Sequence, residues 1–283
     1  MKMKIGMFTS LILLALITST PAVFAQKPPV PAARVVKFRY DNPKNPKLVP
    51  FQKLVQSNQV LEEFANVLNG GFRLPSDLTV TAMQCDTVNA FYSPRDRAIQ
   101  LCYEFVEYFY SLHTNDLRGP DGKVDAAALQ QAVIGSVRFV MYHEVGHALV
   151  GILDLPITGR EEDAVDQLAA VILLSSEDEA DSIAVLDGAY THLLSADARA
   201  ASEAKLTPGQ RKWLEENPIT ADEHSLDEQR FYNTICLAYG KDQETFADFV
   251  TEGVLPKARA QRCPWEWSRI SRSWQRLLEP FAK

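Results

Sequence analysis

The sequence lacks any hydrophobic run long enough to cross a membrane, and it has few basic residues, histidines and cysteines. An apolar stretch near its start, residues 11–17 (LILLALI), is well short of the roughly 20 residues that a spanning helix needs. The chain contains 29 Lys and Arg against 36 Asp and Glu, which gives a formal net charge of -7. This acidity argues against nucleic acid and anionic membrane surfaces as partners.

The first 25 residues have the pattern of a secretory signal peptide. Lys2 and Lys4 give a positive start, the apolar stretch follows, and Val23 and Ala25 place small residues before a cleavage point. We therefore expect cleavage after Ala25 and export of the remainder to the periplasm or the medium. The alternative is a short membrane anchor, for which the apolar stretch is too short.

The four cysteines agree with an exported protein. An even number of cysteines in an oxidising compartment suggests disulfides, and four cysteines allow three pairings. We favour the pairs that are close in sequence, Cys85 with Cys102 and Cys236 with Cys263. A zinc site made of all four thiolates is the alternative, and the absence of any CxxC pair weighs against it.

Hydrophobic periodicity predicts strands in the N-terminal part of the chain and helices in the C-terminal part, an α+β pattern. We expect residues 26–283 to form a single domain, with an α/β part to about residue 155 and a helical part at 156–283. The predicted strands lie at residues 35–40, 77–85, 89–93 and 97–105. The predicted helices include one over residues 50–71, a long one over 125–155, and a shorter one over 160–174.

The long predicted helix contains a His-Glu-x-x-His motif. His143 and His147 are four residues apart, so on a helix both imidazoles project from one face and can reach one tetrahedral zinc ion. Glu144 lies beside the metal, where it can take a proton from an activated water molecule. The alternative is a polar turn of a buried helix, which would bury three ionisable groups at a high cost.

A third metal ligand must come from elsewhere in the chain. Val150 and Leu153 occupy the positions where a metzincin has its Gly and third His, which excludes that class. The next helix offers Glu162 and Asp166, four residues apart. One can bind zinc while the other accepts the second N–H of a ligand histidine; we assign Glu162 to the metal and Asp166 to the histidine.

Two other acidic positions receive different interpretations. Thr158 with Glu161 fits a capping box, which would give Glu161 a structural task at the start of its helix. Glu177 and Asp181 repeat the four-residue spacing, but they follow a polar segment, so we interpret them as a solvated helix N-terminus.

The HExxH motif followed by Glu162 and Asp166 resembles the gluzincins, the thermolysin-like zinc peptidases. From about residue 36 to its tryptophan-rich end, the chain is also similar to a family of exported bacterial metallopeptidases. This resemblance implies a zincin-like fold in which a small N-terminal sheet lies beside the HExxH helix. Asn89 and Ala90, in the segment NAFY, resemble the edge strand with which thermolysin-like enzymes hold the substrate backbone; an ordinary hairpin strand is the alternative.

The resemblance also implies a downstream histidine that stabilises the oxyanion of the tetrahedral intermediate. His224 lies just before a predicted helix and is the candidate for this role, with a surface or capping histidine as the alternative. His113 and His192 have no comparable sequence context, and we interpret them as structural.

The predicted function is therefore that of an exported zinc metallopeptidase acting on peptides or proteins. His143, His147 and Glu162 would bind Zn, and Glu144 would be the general base. One alternative is a non-catalytic exported binding protein with a structural zinc, which a closed four-ligand site would favour. Another is a zinc hydrolase of a non-peptide amide.

Overall fold

A computed structural model gives the structure of the protein and describes residues 35–283. The predicted signal peptide and its cleavage point lie outside the described residues. The described part confirms the α+β class, with a small sheet in its N-terminal part and a mostly helical C-terminal part. In that part of the chain, no helix is both long and apolar enough to cross a membrane.

The sheet has four strands in the order β1-β2-β4-β3, so β1 and β3 are its edges. Strand β2 is parallel to β1 and to β4, whereas β3 is antiparallel to β4. The two central strands consist largely of buried apolar residues, as expected where both faces of a sheet are covered. The strands are β1 (Val36–Tyr40), β2 (Leu78–Met83), β3 (Ala90–Ser93) and β4 (Ala98–Cys102).

Two helices replace the single helix predicted over residues 50–71. The break falls at Gln59, whose φ of 52° lies in the left-handed region that ends helices. Asn58 adds to the stop, because its side-chain Nδ2 donates to the Leu54 carbonyl at 2.7 Å and competes with the helix ladder. The two helices are α1 (Val49–Ser57) and α2 (Val60–Gly71).

The remaining helices run from the end of the sheet to the C-terminus. Short 3₁₀ turns at Pro46–Leu48, Ile219–Ala221 and Glu279–Phe281 join or end some of them. The helices are α3 (Tyr103–Asp116), α4 (Ala126–Leu153), α5 (Glu161–Leu174), α6 (Glu179–Glu203), α7 (Pro208–Glu216), α8 (Asp227–Lys241), α9 (Asp248–Thr251), α10 (Lys257–Ala260) and α11 (Cys263–Leu278).

Helix α4 is the central element of the fold. Its 28 residues begin after Asp125, whose side chain caps the amides of Ala127 and Ala128. The helix packs against α3, α5, α6 and the edge strand β3, so apolar residues surround it on most sides. A helix that is apolar nearly all round is stable only when it is buried. Two ionisable residues within it, His143 and Glu144, are therefore buried in the protein.

The structure confirms both predicted disulfides. One joins Cys85 to Cys102 and ties the segment after β2 to the end of β4. The other joins Cys236 in α8 to Cys263 at the start of α11. These bonds use all four cysteines of the chain, which excludes the four-thiolate zinc site. Disulfides of this kind form outside the reducing cytosol, and each typically contributes about 2–4 kcal/mol to stability.

Candidate metal centre

Helix α4 brings the two histidines of the HExxH motif together inside the protein. The Nε2 atoms of His143 and His147 lie 3.2 Å apart. His143 is 5% exposed, and Glu144 between them is 6% exposed. One helical turn separates the two imidazoles, as the spacing predicted. The geometry therefore leaves two ring nitrogens facing each other in a buried space.

A glycine inside the motif allows α5 to approach these histidines. A Cβ atom at Gly146 would lie 2.6 Å from the Cβ of Val165 in α5, closer than side chains can pack. The absence of a side chain thus lets the two helices touch at this turn. Their contact brings the Glu162 carboxylate to the histidines, with Oε2 3.1 Å from His143 Nε2 and Oε1 3.4 Å from His147 Nε2.

Each histidine has a carboxylate behind it that fixes its tautomer. His143 Nδ1 donates to Asp166 Oδ1 at 2.7 Å, and His147 Nδ1 donates to Glu161 Oε1 at 2.8 Å. A carboxylate can only accept, so the proton is on Nδ1 and the Nε2 lone pair points into the site when the ring is neutral. This arrangement is the one that metal-bound imidazoles usually have.

The prediction that Glu161 forms a capping box was wrong, because Glu161 is the hydrogen-bond partner of His147. The expected capping box with Thr158 does not form, because Arg160 is the residue that precedes α5 and no side chain caps that position. Glu161 instead turns toward α4 and accepts from His147. A capping box and a histidine partner require the same residue type, and only the packing of α5 on α4 distinguishes them.

A buried arginine supports the carboxylate behind His143. Arg230 in α8 donates from Nε and from one terminal nitrogen to the two Asp166 oxygens, at 2.7 and 2.8 Å. Burial raises the pKa of Asp166, but Arg230 and His143 lower it more strongly, so the pKa is well below its ordinary value. Asp166 is therefore ionised when it accepts from His143. Sequence patterns carried no signal for Arg230, which is 64 residues away from Asp166.

The site is a cluster of acceptors that attracts positive charge. With both Nδ1 atoms committed to carboxylates, the two Nε2 atoms and the Glu162 oxygens are all acceptors facing one another when the rings are neutral. Burial lowers the pKa of His147, but its hydrogen bonds with Glu162 and Glu161 raise it to about 9. Burial raises the pKa of Glu162, whereas the surrounding imidazoles lower it far below its ordinary value. Two neutral imidazoles and one carboxylate are a donor set that zinc prefers.

Glu144 lies beside this cluster and not within it. Burial raises the pKa of the Glu144 carboxyl group, and the neighbouring His143 and His147 lower it only in part. The backbone of Tyr92 in β3 also hydrogen-bonds to this carboxylate. A buried carboxyl group with a raised pKa, next to a cation site, has the properties of a general base.

His224 also reaches the site, from the segment that precedes α8. Its Nε2 lies 3.0 Å from Glu162 Oε2, and its ring stacks at 6.2 Å from that of His143. The other nitrogen, Nδ1, contacts Asp222 Oδ1 at 2.9 Å. The ligand atoms of His143, Glu162 and His224 lie within 4.8 Å of one another. The structure therefore places His224 beside the cluster, within reach of a metal ligand position or of a bound substrate.

The edge strand β3 runs beside α4 with part of its backbone unpaired. The amide of Cys102 donates to the Asn89 carbonyl at 3.2 Å, so Asn89 belongs to a hydrogen-bonded pair with β4. Because such pairs alternate along an antiparallel ladder, the backbone groups of Ala90 and Tyr92 point away from β4, on the side where β3 packs against α4; Ala90 is 6% exposed. The Asn89 side chain lines a cavity together with Glu144. An extended peptide could pair with this edge only through the backbone of Ala90, because the Asn89 carbonyl already accepts from the Cys102 amide.

A cavity of about 220 Å³ is lined in part by Glu144. It lies between α3, α4, α6 and the start of α8. His192, interpreted as structural, is one of its lining residues and is 8% exposed. His113 has the expected structural role, because its Nε2 is within 3.0 Å of both the Ser136 and the Thr191 hydroxyl oxygens in the core.

The competing acidic pair does not form a second site. Asp181 is only partly exposed and lies 3.5 Å from Arg138 of α4, so its interpretation as a solvated residue was wrong. Arg138 also pairs with Glu63 of α2. Asp181 therefore has a structural role, which a sequence pattern could not reveal because its partner is on another helix.

A known protein family covers most of the chain. Its model, described as "Putative metallopeptidase", matches residues 40–278. The match includes the whole sheet apart from most of β1, and both helices of the candidate site. No curated protein and no solved structure matches the chain.

Proposed function

The chain belongs to this metallopeptidase family, and on that premise we propose that it is a zinc-dependent peptidase with Glu144 as general base. The observation that carries the proposal is the convergence of two imidazole nitrogens and one carboxylate with no hydrogen-bond donor among them when both rings are neutral. Family membership supports a metal and a hydrolase. The ligand types, two imidazole nitrogens and one carboxylate, support zinc as the metal.

His143, His147 and Glu162 would hold the metal. When bound, zinc lowers the pKa of a water molecule and polarises the carbonyl group to be attacked. Asp166 and Glu161 keep the two imidazoles in the tautomer and orientation that binding requires. Arg230 keeps Asp166 ionised and in place through two hydrogen bonds. The gluzincin type of zinc site is part of this proposal.

Glu144 would carry the proton during hydrolysis. Its carboxylate takes a proton from the attacking water and passes it to the nitrogen of the leaving amine. Burial supports this role by raising the pKa of Glu144 toward the working pH, where a base can both accept and release a proton. The substrate backbone would pair with the edge of β3 at Ala90, while Asn89, which lines the cavity beside Glu144, contacts it.

Export is also part of the proposal. The two disulfides support folding outside the reducing cytosol. We propose that cleavage after Ala25 releases the enzyme to the periplasm or the medium, where peptides or proteins are its substrates. Neither nucleic acid nor membrane is proposed as a partner.

We expect the purified exported protein to contain about one zinc per chain and to cleave members of a broad peptide library. Zinc content is measured by atomic emission, and cleavage by mass spectrometry. A chelator should abolish cleavage, and added zinc should restore it. If the folded, zinc-loaded protein cut no peptide or protein substrate, the peptidase proposal would fail.

The position of His224 favours a second candidate, a non-catalytic protein with a structural zinc. With His224 as a fourth ligand the site would be closed, as structural zinc sites are. His224→Ala distinguishes the two candidates. If His224 serves the substrate, the variant should keep its zinc and lose about 10- to 100-fold in turnover, a loss no larger than that from one oxyanion donor. If His224 is a ligand, zinc affinity should fall instead, which isothermal titration with zinc would measure.

A further inference from the structure

The cavity beside Glu144 has the dimensions of a pocket for one side chain. Its volume of about 220 Å³ is below the 300–1,000 Å³ or so that is usual for sites that bind drug-sized ligands. His143 and Glu144 are among its lining residues, so a group bound within it lies close to the candidate metal centre. A substrate residue that flanks the scissile bond is the group that this position would receive.

The walls of the cavity are apolar, but its lining also includes charged and polar groups. Phe105 and Phe109 of α3 and Val140 of α4 form the apolar part. Ser195 of α6 and Asp227 of α8 add a hydroxyl group and a carboxylate. An aliphatic stem with a polar tip would match such a lining, because the stem packs on apolar side chains while the tip meets polar groups.

Asp227 retains capacity to accept hydrogen bonds. Its oxygens lie 3.7 Å from His192 Nδ1 and 3.8 Å from Arg199 Nε, and both distances exceed those of a good hydrogen bond. The side chain is 25% exposed. His192 Nε2 and Arg199 Nε are buried and also have no hydrogen-bond partner. The group of residues around Asp227 is therefore incompletely satisfied within the described chain.

The charge around Asp227 is negative on balance. Arg199 is nearest to Glu228, at 3.2 Å, and also pairs with Glu203 at 3.8 Å, so three carboxylates including Asp227 share one guanidinium group. Arg230, the arginine that lines the cavity, donates two hydrogen bonds to Asp166. A cation that entered the cavity would meet the Asp227 carboxylate, whose neighbours Arg199 and His192 are too distant for good hydrogen bonds.

From these observations we infer that the cavity receives a basic side chain, lysine or arginine, on one side of the scissile bond, and that Asp227 determines this specificity. The inference rests on the proposed peptidase function. The stem of the basic residue packs against Phe105, Phe109 and Val140, and its charged tip donates to Asp227 and to the Ser195 oxygen. A hydrogen bond between charged groups in a partly buried site distinguishes substrates by about 10- to 100-fold.

Two peptide series test the specificity. Each series varies one residue, on one or the other side of the scissile bond, among lysine, arginine, methionine and glutamate, and kcat/KM is measured for each peptide. Methionine is the neutral control because its length is close to that of the lysine stem. In one of the two series, the wild type should prefer lysine or arginine to methionine by about 10-fold or more. Equal or faster cleavage of the methionine peptides in both series would overturn the inference.

Asp227→Asn should remove this preference while it leaves cleavage of the methionine peptides within about twofold. Glu228→Gln is the matched control: it removes a neighbouring negative charge that also pairs with Arg199, but it does not line the cavity. The control should keep the preference for basic residues. An equal loss of preference in both variants would show a general field effect and overturn the assignment to Asp227.

A binding measurement separates this inference from the peptidase proposal. n-Butylammonium, which mimics a lysine side chain, should bind to the wild type and not to Asp227→Asn in ligand-observed NMR. The neutral alcohol n-pentanol should bind both proteins equally, which also shows that the variant is folded. If the amine bound but no peptide were cut, the peptidase proposal would fail and the pocket for a basic group would stand. If peptides were cut but the amine did not bind, the peptidase would stand and the pocket assignment would fail.

Discussion

Replacement of Glu144 by glutamine is expected to lower peptide cleavage by about 10²- to 10⁴-fold, the usual contribution of general acid–base catalysis. Glutamine has nearly the same shape as glutamate, but it cannot take a proton from the attacking water. The side chain lies beside the acceptor cluster and contributes no atom to it. Zinc content and melting temperature should therefore stay close to those of the wild type.

The assay for this variant needs both the metal and the rate. Zinc-loaded wild type and Glu144→Gln are incubated with the same cleavable peptide, and kcat/KM is measured with excess chelator as the blank. Loss of activity together with retained zinc identifies a residue that acts on the proton and not on the metal. Wild-type rates in the variant would show that another group is the base, whatever the substrate.

Replacement of Glu162 by alanine is expected to lower zinc affinity by more than about 100-fold, which exceeds the usual effect of a residue that only orients a ligand. Its two oxygens approach His143 Nε2 and His147 Nε2. Without Glu162, only these two imidazole nitrogens remain of the three proposed metal ligands. Isothermal titration with zinc measures the affinity. Because ligand loss also removes the activating metal, peptide cleavage should fall in parallel.

Replacing the carboxylates that accept from the two histidines should lower zinc affinity less than replacing Glu162 does, in the same titration. Glu161→Ala and Asp166→Asn remove or weaken the acceptors of the two Nδ1 atoms, and each should cost about 10- to 100-fold in zinc affinity. Asp163→Asn is the control, since Asp163 lies on the same turn of α5 but accepts from Ser225 and contacts neither histidine. If Glu161→Ala abolished zinc binding while Glu162→Ala kept it, the assignment of the third ligand would be wrong.

The sequence predicted the features that depend on local chemistry. A four-residue spacing on a helix places His143 and His147 on one face whatever surrounds the helix, so the spacing alone was enough to predict their contact. Pairing of cysteines that are close in sequence likewise predicted both disulfides, since few residues separate the partners. Alternation and helical periodicity indicated the α+β class, because they report which faces are buried.

Sequence patterns gave the wrong prediction where one pattern is compatible with two structures. Glu161 was compatible with a helix cap and also with a histidine partner, and the contact between α4 and α5 at Gly146 decided between them. Residues 50–71 have helical spacing throughout, yet the left-handed turn at Gln59 divides them. Helix propensity fixed neither outcome: packing of α5 on α4 decided the role of Glu161, and the backbone conformation of Gln59 with the Asn58 side chain ended α1.

Contacts between distant segments could not be predicted from the sequence. Arg230 supports Asp166, and His224 reaches Glu162, only because α8 packs against α5 and α6. The pocket beside Glu144 likewise requires residues from four helices, of which Asp227 lies far from the HExxH motif in sequence. By itself the sequence determined which residues could bind a metal and move a proton, because those properties belong to single side chains and their spacing along a helix. Only the tertiary structure decided what stands behind and beside them, because a hydrogen bond or an ion pair depends on a few ångströms of separation that no local pattern fixes.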